Sequence, residues 1–443
     1  MAEKGHMIFD GCDVVDLAER FGTPLYVLSE TEVRRRIGRI RSAWIDRYDD
    51  VEVLYAGKAF LTMAMCSLVA SEGLGLDVVS PGELYTAVKA GFPMDRVLFH
   101  GNNKTEEDLR MALRSGVGRY VVDSRDELLL LAGLAQDEGL RASVLLRLAP
   151  GVTGKTHRYI QTAHTDCKFG VPIGGGELSL SVGWAMGHPS LDLRGFHFHV
   201  GSQLMENRAC LQALEIVTDL MADLRRERGF LVQELNVGGG IGIPQTDDQV
   251  EVDLESYLGG IAERAFGLCD RKGLTRPRLL IEPGRWIVGP AGITLYRVGS
   301  VKVIPGVRTY VSVDGGMADN PRPSLYGARY QCVAADRMED PADQTVTVAG
   351  RCCESGDILV EGAELPPLKR GDLLAVLNTG AYNFSMASAY NRLPRPAVVV
   401  TREGEPRLMV ARQSLDDILR GEVSPEELWN DKNTSEQEGG LYR

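Results

Sequence analysis

Lys58 is a residue of this sequence that could support covalent chemistry. It follows the apolar run 51–56 and lies within the segment YAGKAF, so we expect its amine to meet mainly apolar groups. Burial of this kind lowers the pKa of a lysine and makes the amine a nucleophile toward carbonyls. A lysine after a strand is more often an ordinary solvated side chain, so this role depends on the groups that accompany it.

Two further groups are of the kinds that bind anions and charged substrates. A triple glycine ends the apolar run 234–239, and bare N–H groups after a strand that leads into a helix form a nest for phosphate. A tight turn is the commoner role of such a triplet. The segment EPGR places a carboxylate and a guanidinium at the end of the run 278–284. The residues of these two groups are Gly238, Gly239, Gly240, Glu282, Pro283, Gly284 and Arg285.

A histidine pair, His197 and His199, lies in the apolar run 194–200. Alternate residues of a strand point to the same face, so both imidazoles could bind one metal ion. The other interpretation is one histidine in the core and one in a functional site. No convincing further set of His or Asp residues follows the other runs, and we therefore predict no metal.

A lysine, a phosphate nest, an acid, an arginine and a flat imidazole together suit pyridoxal 5′-phosphate (PLP). The lysine would hold the aldehyde of the cofactor, and the glycines would bind its phosphate. A carboxylate would keep the ring nitrogen protonated, so that the ring could accept electrons. The sequence therefore predicts a PLP site.

These groups need a scaffold that brings strand ends together, and eight β-rich runs could supply it. Stretches with helical periodicity, such as 104–116 and 124–139, separate most of the runs. Eight such runs over about 235 residues predict a (β/α)8 barrel, whose active site lies at the C-terminal ends of its strands. A doubly wound open sheet is the competing α/β architecture. The runs are 51–56, 76–79, 97–100, 119–123, 143–149, 194–200, 234–239 and 278–284.

The pattern changes after Pro290, where short β-branched runs follow one another closely and a helical stretch returns only at SLDDILRG. Such a pattern is typical of an antiparallel β domain. The strand-like segment TPLYVL, near the N-terminus, could pair with that domain. We therefore predict an α/β barrel over residues 30–290 and an all-β domain formed by 1–29 and 291–443.

The composition argues against several classes of protein. Among 443 residues, 49 Lys and Arg against 61 Asp and Glu give a net charge of −12, which disfavours nucleic acid or an anionic membrane as a partner. The longest apolar run, 128–135, is far shorter than the roughly 20 residues that span a bilayer, and no secretory signal is visible. The eight cysteines form no CxxC motif. We therefore expect reduced thiols and a cytoplasmic location.

Long motifs extend in order from about residue 20 to 420. They are FGTPLYVLSE, YAGKAF, DVVSPGEL, FHGNNKT, DCKFG, FHVGSQ, NVGGGIG, EPGR, RPSLYGA, CCESGD, GAYNFSMAS and YNRLPRP. In these motifs the sequence resembles the diaminopimelate decarboxylases, which are PLP-dependent carbon–carbon lyases with a barrel and a β domain. The resemblance implies decarboxylation of meso-2,6-diaminopimelate to L-lysine and CO2, the last step of lysine biosynthesis.

The resemblance also implies a role for individual residues. Lys58 holds the cofactor, His199 stacks on its ring, Glu282 pairs with the pyridine nitrogen, and Cys353 protonates the product carbanion. The residues implied to bind the cofactor are Lys58, His199, Ser202, Gly239, Gly240, Glu282, Pro283, Gly284, Arg285 and Tyr382. Those implied to bind the substrate are Arg285, Arg322, Tyr326, Glu354 and Tyr382.

In the family that this sequence resembles, Cys353 and Glu354 enter the active site of the neighbouring subunit. The resemblance therefore implies a homodimer with shared active sites, in which the β-rich domain contributes to both the substrate site and the dimer. The chain departs from the family pattern at Pro81, Cys167, Cys352 and Asn383.

Two other functions are alternatives at the level of the sequence. Ornithine and arginine decarboxylases share the fold but act on a distal amine or guanidinium, whereas Arg322 and Tyr326 suit a distal carboxylate through charge-assisted bonds. A non-catalytic homologue that regulates an enzyme would be expected to have lost Lys58 or Cys353, and both are present.

Overall fold

Eight parallel strands close into a barrel in the computed structural model, which describes residues 2–3, 5–152, 167–174, 176–246 and 249–429. Each strand pairs with the next along the chain, and the eighth pairs with the first. The barrel prediction is therefore confirmed, and the open doubly wound sheet is excluded. The barrel strands are Val51–Ala56, Gly75–Val78, Val97–Phe99, Arg119–Val122, Ala142–Ala149, Leu191–His197, Glu234–Asn236 and Arg278–Ile281.

The helices around the barrel begin at side chains that cap their N-termini. Ser80, Thr105, Ser124 and Asp253 each accept a hydrogen bond from a backbone N–H of the first turn, a role for which Ser, Thr and Asp are favoured. The longest helix ends at Gly229 in the left-handed conformation, which glycine adopts without strain. The helices are Glu30–Ile40, Met63–Ser71, Pro81–Lys89, Glu106–Arg114, Arg125–Asp137, Glu177–Gly187, Arg208–Arg228, Leu254–Arg271 and Arg285–Val288.

Apolar side chains lie on both faces of the barrel strands. Leu54 belongs to a small cluster contributed by five strands, whereas its neighbours Val53 and Tyr55 belong to a larger cluster with the helices. Successive strand residues face opposite sides, so the small cluster fills the interior and the large one lies beneath the helices. Burial on both faces is the reason that these strands read as continuous apolar runs.

A second sheet contains the N-terminal segment TPLYVL, as the sequence predicted. Leu25–Ser29 pairs antiparallel with Gly292–Ile304 and parallel with Ala397–Arg402. Arg308–Val313 and Gln344–Ala349 are also parallel, so the sheet is rich in antiparallel pairs but not purely antiparallel. Its strands are Leu25–Ser29, Gly292–Ile304, Arg308–Val313, Cys332–Ala334, Gln344–Ala349, Ile358–Leu365, Leu373–Val376, Ala397–Arg402 and Glu405–Val410.

Shorter elements complete the chain. A small N-terminal sheet consists of Ala2–Glu3, His6–Phe9 and Cys12–Asp13, and Val171–Pro172 pairs with the fifth barrel strand. The remaining helices and helical turns are Val14–Phe21, Arg41–Ile45, Gly57–Ala59, Met94–Arg96, Arg322–Tyr326, Phe384–Met386, Tyr390–Arg392, Leu415–Leu419 and Pro425–Leu428. Within the described ranges, no helix combines the length and the apolar character needed to cross a membrane.

A buried ion pair, Lys104 with Glu127, joins two neighbouring strand–helix units of the barrel. The Nζ atom of Lys104 lies 2.6 Å from Oε1 of Glu127, and both side chains are almost fully buried. The same ammonium donates to the carbonyls of Gly101 and Val121, each at 2.8 Å. All three hydrogens of the ammonium therefore have acceptors, which is the condition under which a buried charge is tolerated.

We predict that Lys104→Met destabilises the protein by about 3–5 kcal/mol, because it leaves the carboxylate of Glu127 buried without its cation. The double variant Lys104→Met/Glu127→Gln removes both charges and should recover part of that loss. Denaturant unfolding of the three proteins measures both effects. A double variant that is less stable than Lys104→Met would contradict this account of the pair.

Candidate active site

A cavity of about 470 Å³ lies at the C-terminal ends of the barrel strands. The predicted site residues that line it are Lys58, His199, Ser202, Gly239, Gly240, Glu282, Gly284, Arg285, Arg322, Tyr326 and Tyr382. A larger groove of about 910 Å³ lies on the second sheet, but it holds none of the predicted residues. The concentration of acids, guanidiniums and glycines marks the smaller cavity as the candidate active site.

Three of the residues that the family resemblance implied do not line this cavity. Pro283 lies beside it, and its carbonyl accepts a hydrogen bond from the N–H of Ala56 at 3.3 Å. Cys353 and Glu354 are exposed on the surface of the chain. The N–H of Cys353 donates to Oδ1 of Asn391, and Oε1 of Glu354 accepts from the N–H of Gly356.

Lys58 lies in the short turn Gly57–Ala59 that follows the first barrel strand. The expectation of a lowered pKa is wrong. Burial by itself would lower the pKa of Lys58, but Asp77, Tyr382 and Glu282 raise it above the ordinary lysine value. The amine is therefore an ammonium at neutral pH, and it must lose a proton before it attacks a carbonyl.

Three buried donors surround the carboxylate of Glu282. His100 and Asn236 each lie 2.7 Å from Oε1, and Nε2 of His197 lies 3.3 Å from Oε2. Burial alone would raise the pKa of Glu282, but the histidines hold it well below its usual range. Glu282 is therefore an anion in a site that water barely reaches, and its orientation is fixed by bonds to both oxygens.

The two histidines of the predicted pair have different surroundings. The strand ends at His197, whose pKa burial lowers to about 3, and its Nε2 faces Glu282. His199 lies beyond the strand and lines the cavity, where its Nδ1 accepts from the N–H of Gly239 at 3.3 Å. Burial, with the nearby charge of Lys58, lowers the pKa of His199 well below its ordinary value, so its ring is neutral.

His100, His197 and Glu282 offer three potential metal-ligand atoms within 4.8 Å of one another. The set differs from the pair that the sequence suggested, because His199 is not part of it. His100 and Glu282 bond directly at 2.7 Å, and an amide N–H of Asn236 points at the same oxygen. That is the arrangement of donors around an anion, and the prediction that the site binds no metal stays a prediction.

The glycine loop after the seventh strand leaves no room for side chains. A Cβ at Gly239 would lie 2.0 Å from the carbonyl oxygen of Glu282, and one at Gly240 would lie 2.1 Å from that of Gly201. Gly240 also has a φ of +98°, which side-chain-bearing residues rarely adopt. Close to this loop, Arg285 donates to Oγ of Ser202 at 3.1 Å. A loop without side chains, a hydroxyl and a guanidinium form a fitting cradle for a phosphate.

Arg285 and Arg322 are both buried beside the ring of Tyr382. Their guanidinium carbons lie 4.6 and 5.4 Å from the ring centre. Burial and the charge of Arg322 lower the pKa of Arg285 to about 10. Within the part of the chain that the structure describes, neither guanidinium has a carboxylate within 4.0 Å. Two buried cations without an anion make this end of the cavity a site for a negatively charged group.

The loop that carries Tyr382 is tied to the turn that carries Lys58. The N–H of Tyr382 donates to the carbonyl of Ala59 at 2.8 Å, and the hydroxyl of Ser385 donates to the same oxygen at 3.2 Å. Tyr382 has a φ of +64°, a costly conformation for a residue with a side chain. The two hydrogen bonds hold this conformation, so the second sheet and the barrel present their side chains to one cavity.

Sequence reasoning missed two of the three partners of Glu282. His100 ends the third run, VLFH, and Asn236 stands just before the triple glycine. A systematic inspection of every polar residue at a strand end could have found both. Arg147, Asn102 and Phe169 also line the cavity and were not considered.

Comparisons with known proteins identify the class to which the chain belongs. Residues 30–289 match the family model described as the pyridoxal-binding domain of pyridoxal-dependent decarboxylases. The barrel, its lysine and its phosphate cradle, together with this match, define a pyridoxal-dependent decarboxylase. The geometry of the cavity also fits PLP, because the lysine, the anionic Glu282 and the glycine loop all line it.

Comparison with individual relatives identifies the family within this class. The chain is 46% identical to the diaminopimelate decarboxylase of Bacillus subtilis over 94% of its own length and 95% of that protein. It is 42% identical to that of Staphylococcus aureus, covering 94% and 97%. The crystal structure of the M. jannaschii enzyme in complex with L-lysine superposes with a TM-score of 0.90 at 33% identity, covering 97% and 98%. The chain belongs to the diaminopimelate decarboxylase family.

Glu83 gives the stability of the fold a dependence on pH. Its Oε2 accepts from the N–H of Val79 at 2.7 Å, and burial, with the charge of Asp77, raises its pKa to about 7. A carboxyl group whose pKa is higher in the folded than in the unfolded chain stabilises the fold below its unfolded pKa of about 4.3. That stabilisation is lost as the pH rises toward 7.

We therefore predict that Glu83→Gln gains stability relative to the wild type as the pH rises from 4 to 8. The amide does not ionise, so the variant avoids the loss that the wild type undergoes. Thermal midpoints of both proteins across this range measure the difference. A difference that stays constant with pH would show that Glu83 does not titrate in this window.

Proposed function

We propose that this chain uses PLP to remove a carboxylate from meso-2,6-diaminopimelate and thereby forms L-lysine and CO2. One observation carries the substrate assignment. Arg285 and Arg322 lie buried in the same cavity as Lys58, and neither has a carboxylate within 4.0 Å among the described residues. A substrate with a second carboxylate would complete this charge, whereas ornithine would place an ammonium there.

Three residues would hold the cofactor's reactive part. When bound, PLP supplies an electron sink for the electron pair that the departing carboxylate leaves. Lys58 would bind its aldehyde, and His199, which is neutral, would lie against one face of the ring. Glu282 would hold a proton on the ring nitrogen, because an anion fixed there favours the protonated base.

The phosphate would bind at the glycine cradle. Gly240 would offer its N–H group, Gly239 would line the cradle, and the hydroxyl of Ser202 is already held by its bond to Arg285. Tyr382 and the segment 283–285 would complete the cofactor site. A guanidinium near a doubly charged phosphate also lowers the cost of burying that charge.

The substrate's distal end would contact the residues at the second sheet. Arg322 and Arg285 would bind the distal carboxylate, with Tyr326 and Tyr382 beside them. The guanidinium of Arg322 lies 5.3 Å from the ring centre of Tyr326, a distance at which the ring's face stabilises a cation. These contacts would hold the distal end while the other carboxylate leaves.

The exposed positions of Cys353 and Glu354 support a homodimer with shared active sites. Both would enter the partner's cavity, where Cys353 would protonate the product carbanion as a general acid and Glu354 would bind the distal amine. In this proposal residues 30–290 bind the cofactor, and 1–29 with 291–443 contribute to the substrate site and the dimer. Eight free thiols and an acidic surface suit the cytoplasm.

The substrate assignment predicts the effect of Arg322→Ala. CO2 release is measured for meso-diaminopimelate, ornithine, arginine and lysine in parallel on the wild-type holoenzyme and the variant. Truncation of one partner of a buried charge pair costs about 2–5 kcal/mol, so kcat/KM for diaminopimelate should fall by 30-fold or more. Any trace turnover of ornithine should be unchanged or rise. Unchanged diaminopimelate turnover with collapsed ornithine turnover would assign the chain to the ornithine type.

The shared site predicts that two inactive variants restore activity when mixed. Lys58→Ala lacks the cofactor's anchor, and Cys353→Ala lacks the proton donor, so each should lose most of its turnover. A mixed dimer contains one intact site if the two residues come from different subunits. After dissociation and reassociation, random mixing should give about a quarter of the wild-type activity. No recovery, in a mixture whose subunit exchange is verified by mass, would place both residues in one subunit's site.

A further inference from the structure

Two neighbouring residues, Tyr390 and Asn391, hold both backbone polar groups of Cys353. Oδ1 of Asn391 accepts from the N–H of Cys353 at 2.7 Å, and the hydroxyl of Tyr390 donates to the carbonyl of Cys353 at 3.3 Å. Both residues belong to the motif YNRLPRP, and neither lines the candidate active site. The two bonds lie at the surface, where water competes with them and their contribution to stability is small. Their consequence is therefore geometric, because they fix the backbone that carries the thiol.

The backbone conformation of Asn391 suits this position. Its φ of +50° and ψ of +22° lie in the left-handed region, which Asn adopts more readily than most residues with a side chain. The segment before it is tied to a neighbouring loop, because the N–H of Ser388 donates to the carbonyl of Ala318 at 2.8 Å. The amide that accepts from Cys353 is therefore itself carried by an anchored turn.

Asp357 holds the residue before the thiol, Cys352. Its Oδ2 accepts from the N–H of Cys352 at 2.7 Å, and its Oδ1 accepts from the N–H of Met317 at 2.6 Å. The carboxylate is buried between two glycines, since a Cβ at Gly316 or Gly350 would lie 2.4 or 2.2 Å from Oδ2. The loop that contains Met317 also accepts the bond from Ser388, so it contacts both supports of the cysteine turn.

A fixed backbone matters for Cys353 because the proposed function makes its thiol a proton donor in the partner's cavity. The sulfur of a cysteine is one rotatable bond away from the backbone, so its position follows the backbone closely. Displacement of a reacting group by about 1 Å can lower a rate by two orders of magnitude. Restraint of the N–H and the carbonyl of Cys353 therefore limits where the proton can be delivered.

We propose that Asn391 and Tyr390 are positioning residues that fix the backbone of Cys353 for delivery of its proton in the neighbouring subunit's cavity. Both act through Cys353 rather than on the substrate. Asp357 supports the same turn through Cys352. This inference rests on the proposed function, because it assigns these residues to the same reaction and the same shared site.

The first test compares the holoenzymes of Asn391→Gly and Asn391→Asp with the wild type. Glycine accepts the left-handed conformation but removes the acceptor, whereas aspartate keeps an oxygen at the same place. We expect kcat for meso-diaminopimelate to fall about 10-fold in Asn391→Gly, a smaller loss than in Cys353→Ala, and to stay within about twofold in Asn391→Asp. KM should change less than kcat, because Arg285 and Arg322 are unaltered.

Two further variants complete this series. Tyr390→Phe removes the hydroxyl and should lower kcat by a smaller factor than Asn391→Gly, because the shorter bond to the N–H of Cys353 remains. Glu403→Gly is the matched control. Glu403 is an exposed residue with a φ of +50° in the hairpin between Ala397–Arg402 and Glu405–Val410. Its replacement should leave kcat and KM unchanged.

A double-variant cycle separates positioning from a structural role. Cys353→Ala has no thiol proton to deliver, so the addition of Asn391→Gly should lower kcat no further. A role of Asn391 in the fold alone would give the same loss in both backgrounds. That result would overturn the proposal.

Mixed dimers show in which subunit Asn391 acts. When Lys58→Ala is paired with Cys353→Ala, the Lys58→Ala subunit supplies the thiol of the intact site. Asn391→Gly in that subunit should lower the restored activity about 10-fold, as in the homodimer. The same change in the Cys353→Ala subunit should leave the restored activity unchanged. Equal losses from the two placements would refute an action through Cys353.

The outcomes distinguish this inference from the proposed function. A wild type that releases no CO2 from meso-diaminopimelate refutes the proposed function, and the inference that rests on it fails as well. A wild type that releases CO2, with Asn391→Gly at the wild-type kcat, refutes only the positioning role.

Discussion

The structure of the site depends on one buried anion, the carboxylate of Glu282. Burial of this charge would be too costly if His100, Asn236 and His197 did not donate hydrogen bonds to the carboxylate. These donors come from the third, sixth and seventh strands, and the carboxylate follows the eighth. The carboxylate can therefore stay ionised only in the closed barrel, because no two neighbouring strands alone could supply all three donors.

The same anion divides the cavity into two electrostatic ends. Asp77 and Glu282 lie near Lys58 and raise its pKa, whereas Arg285 and Arg322 lie together beside Tyr382. A molecule with an amine at one end and a carboxylate at the other would meet complementary charges along its whole length. This polarity favours a substrate whose distal end carries a carboxylate over one whose distal end carries only an ammonium, because the ammonium would meet two like charges.

The barrel was predictable because its strands are buried on both faces and read as eight separate apolar runs. The lysine, the glycine loop and the segment EPGR were predictable because unusual residues followed those runs. His100 and Asn236 were missed because a single polar residue at a strand end has no local signature, and only closure brings it to Glu282. The raised pKa of Lys58 was missed for the same reason: YAGKAF is apolar, but the acids that act on the amine come from other strands.

The second sheet and its loops contribute side chains to the cavity that the barrel strands do not supply. The carbonyl of Ala59, one residue after Lys58, accepts bonds from the N–H of Tyr382 and the hydroxyl of Ser385. The loop that carries the ring between the two guanidiniums is therefore held at the turn that carries the amine. Both hydrogen bonds go to the same carbonyl oxygen. The distance between the amine of Lys58 and the two guanidiniums is therefore held constant. A fixed separation would limit the length of a substrate that reaches both groups, which is a selection that charge alone cannot make.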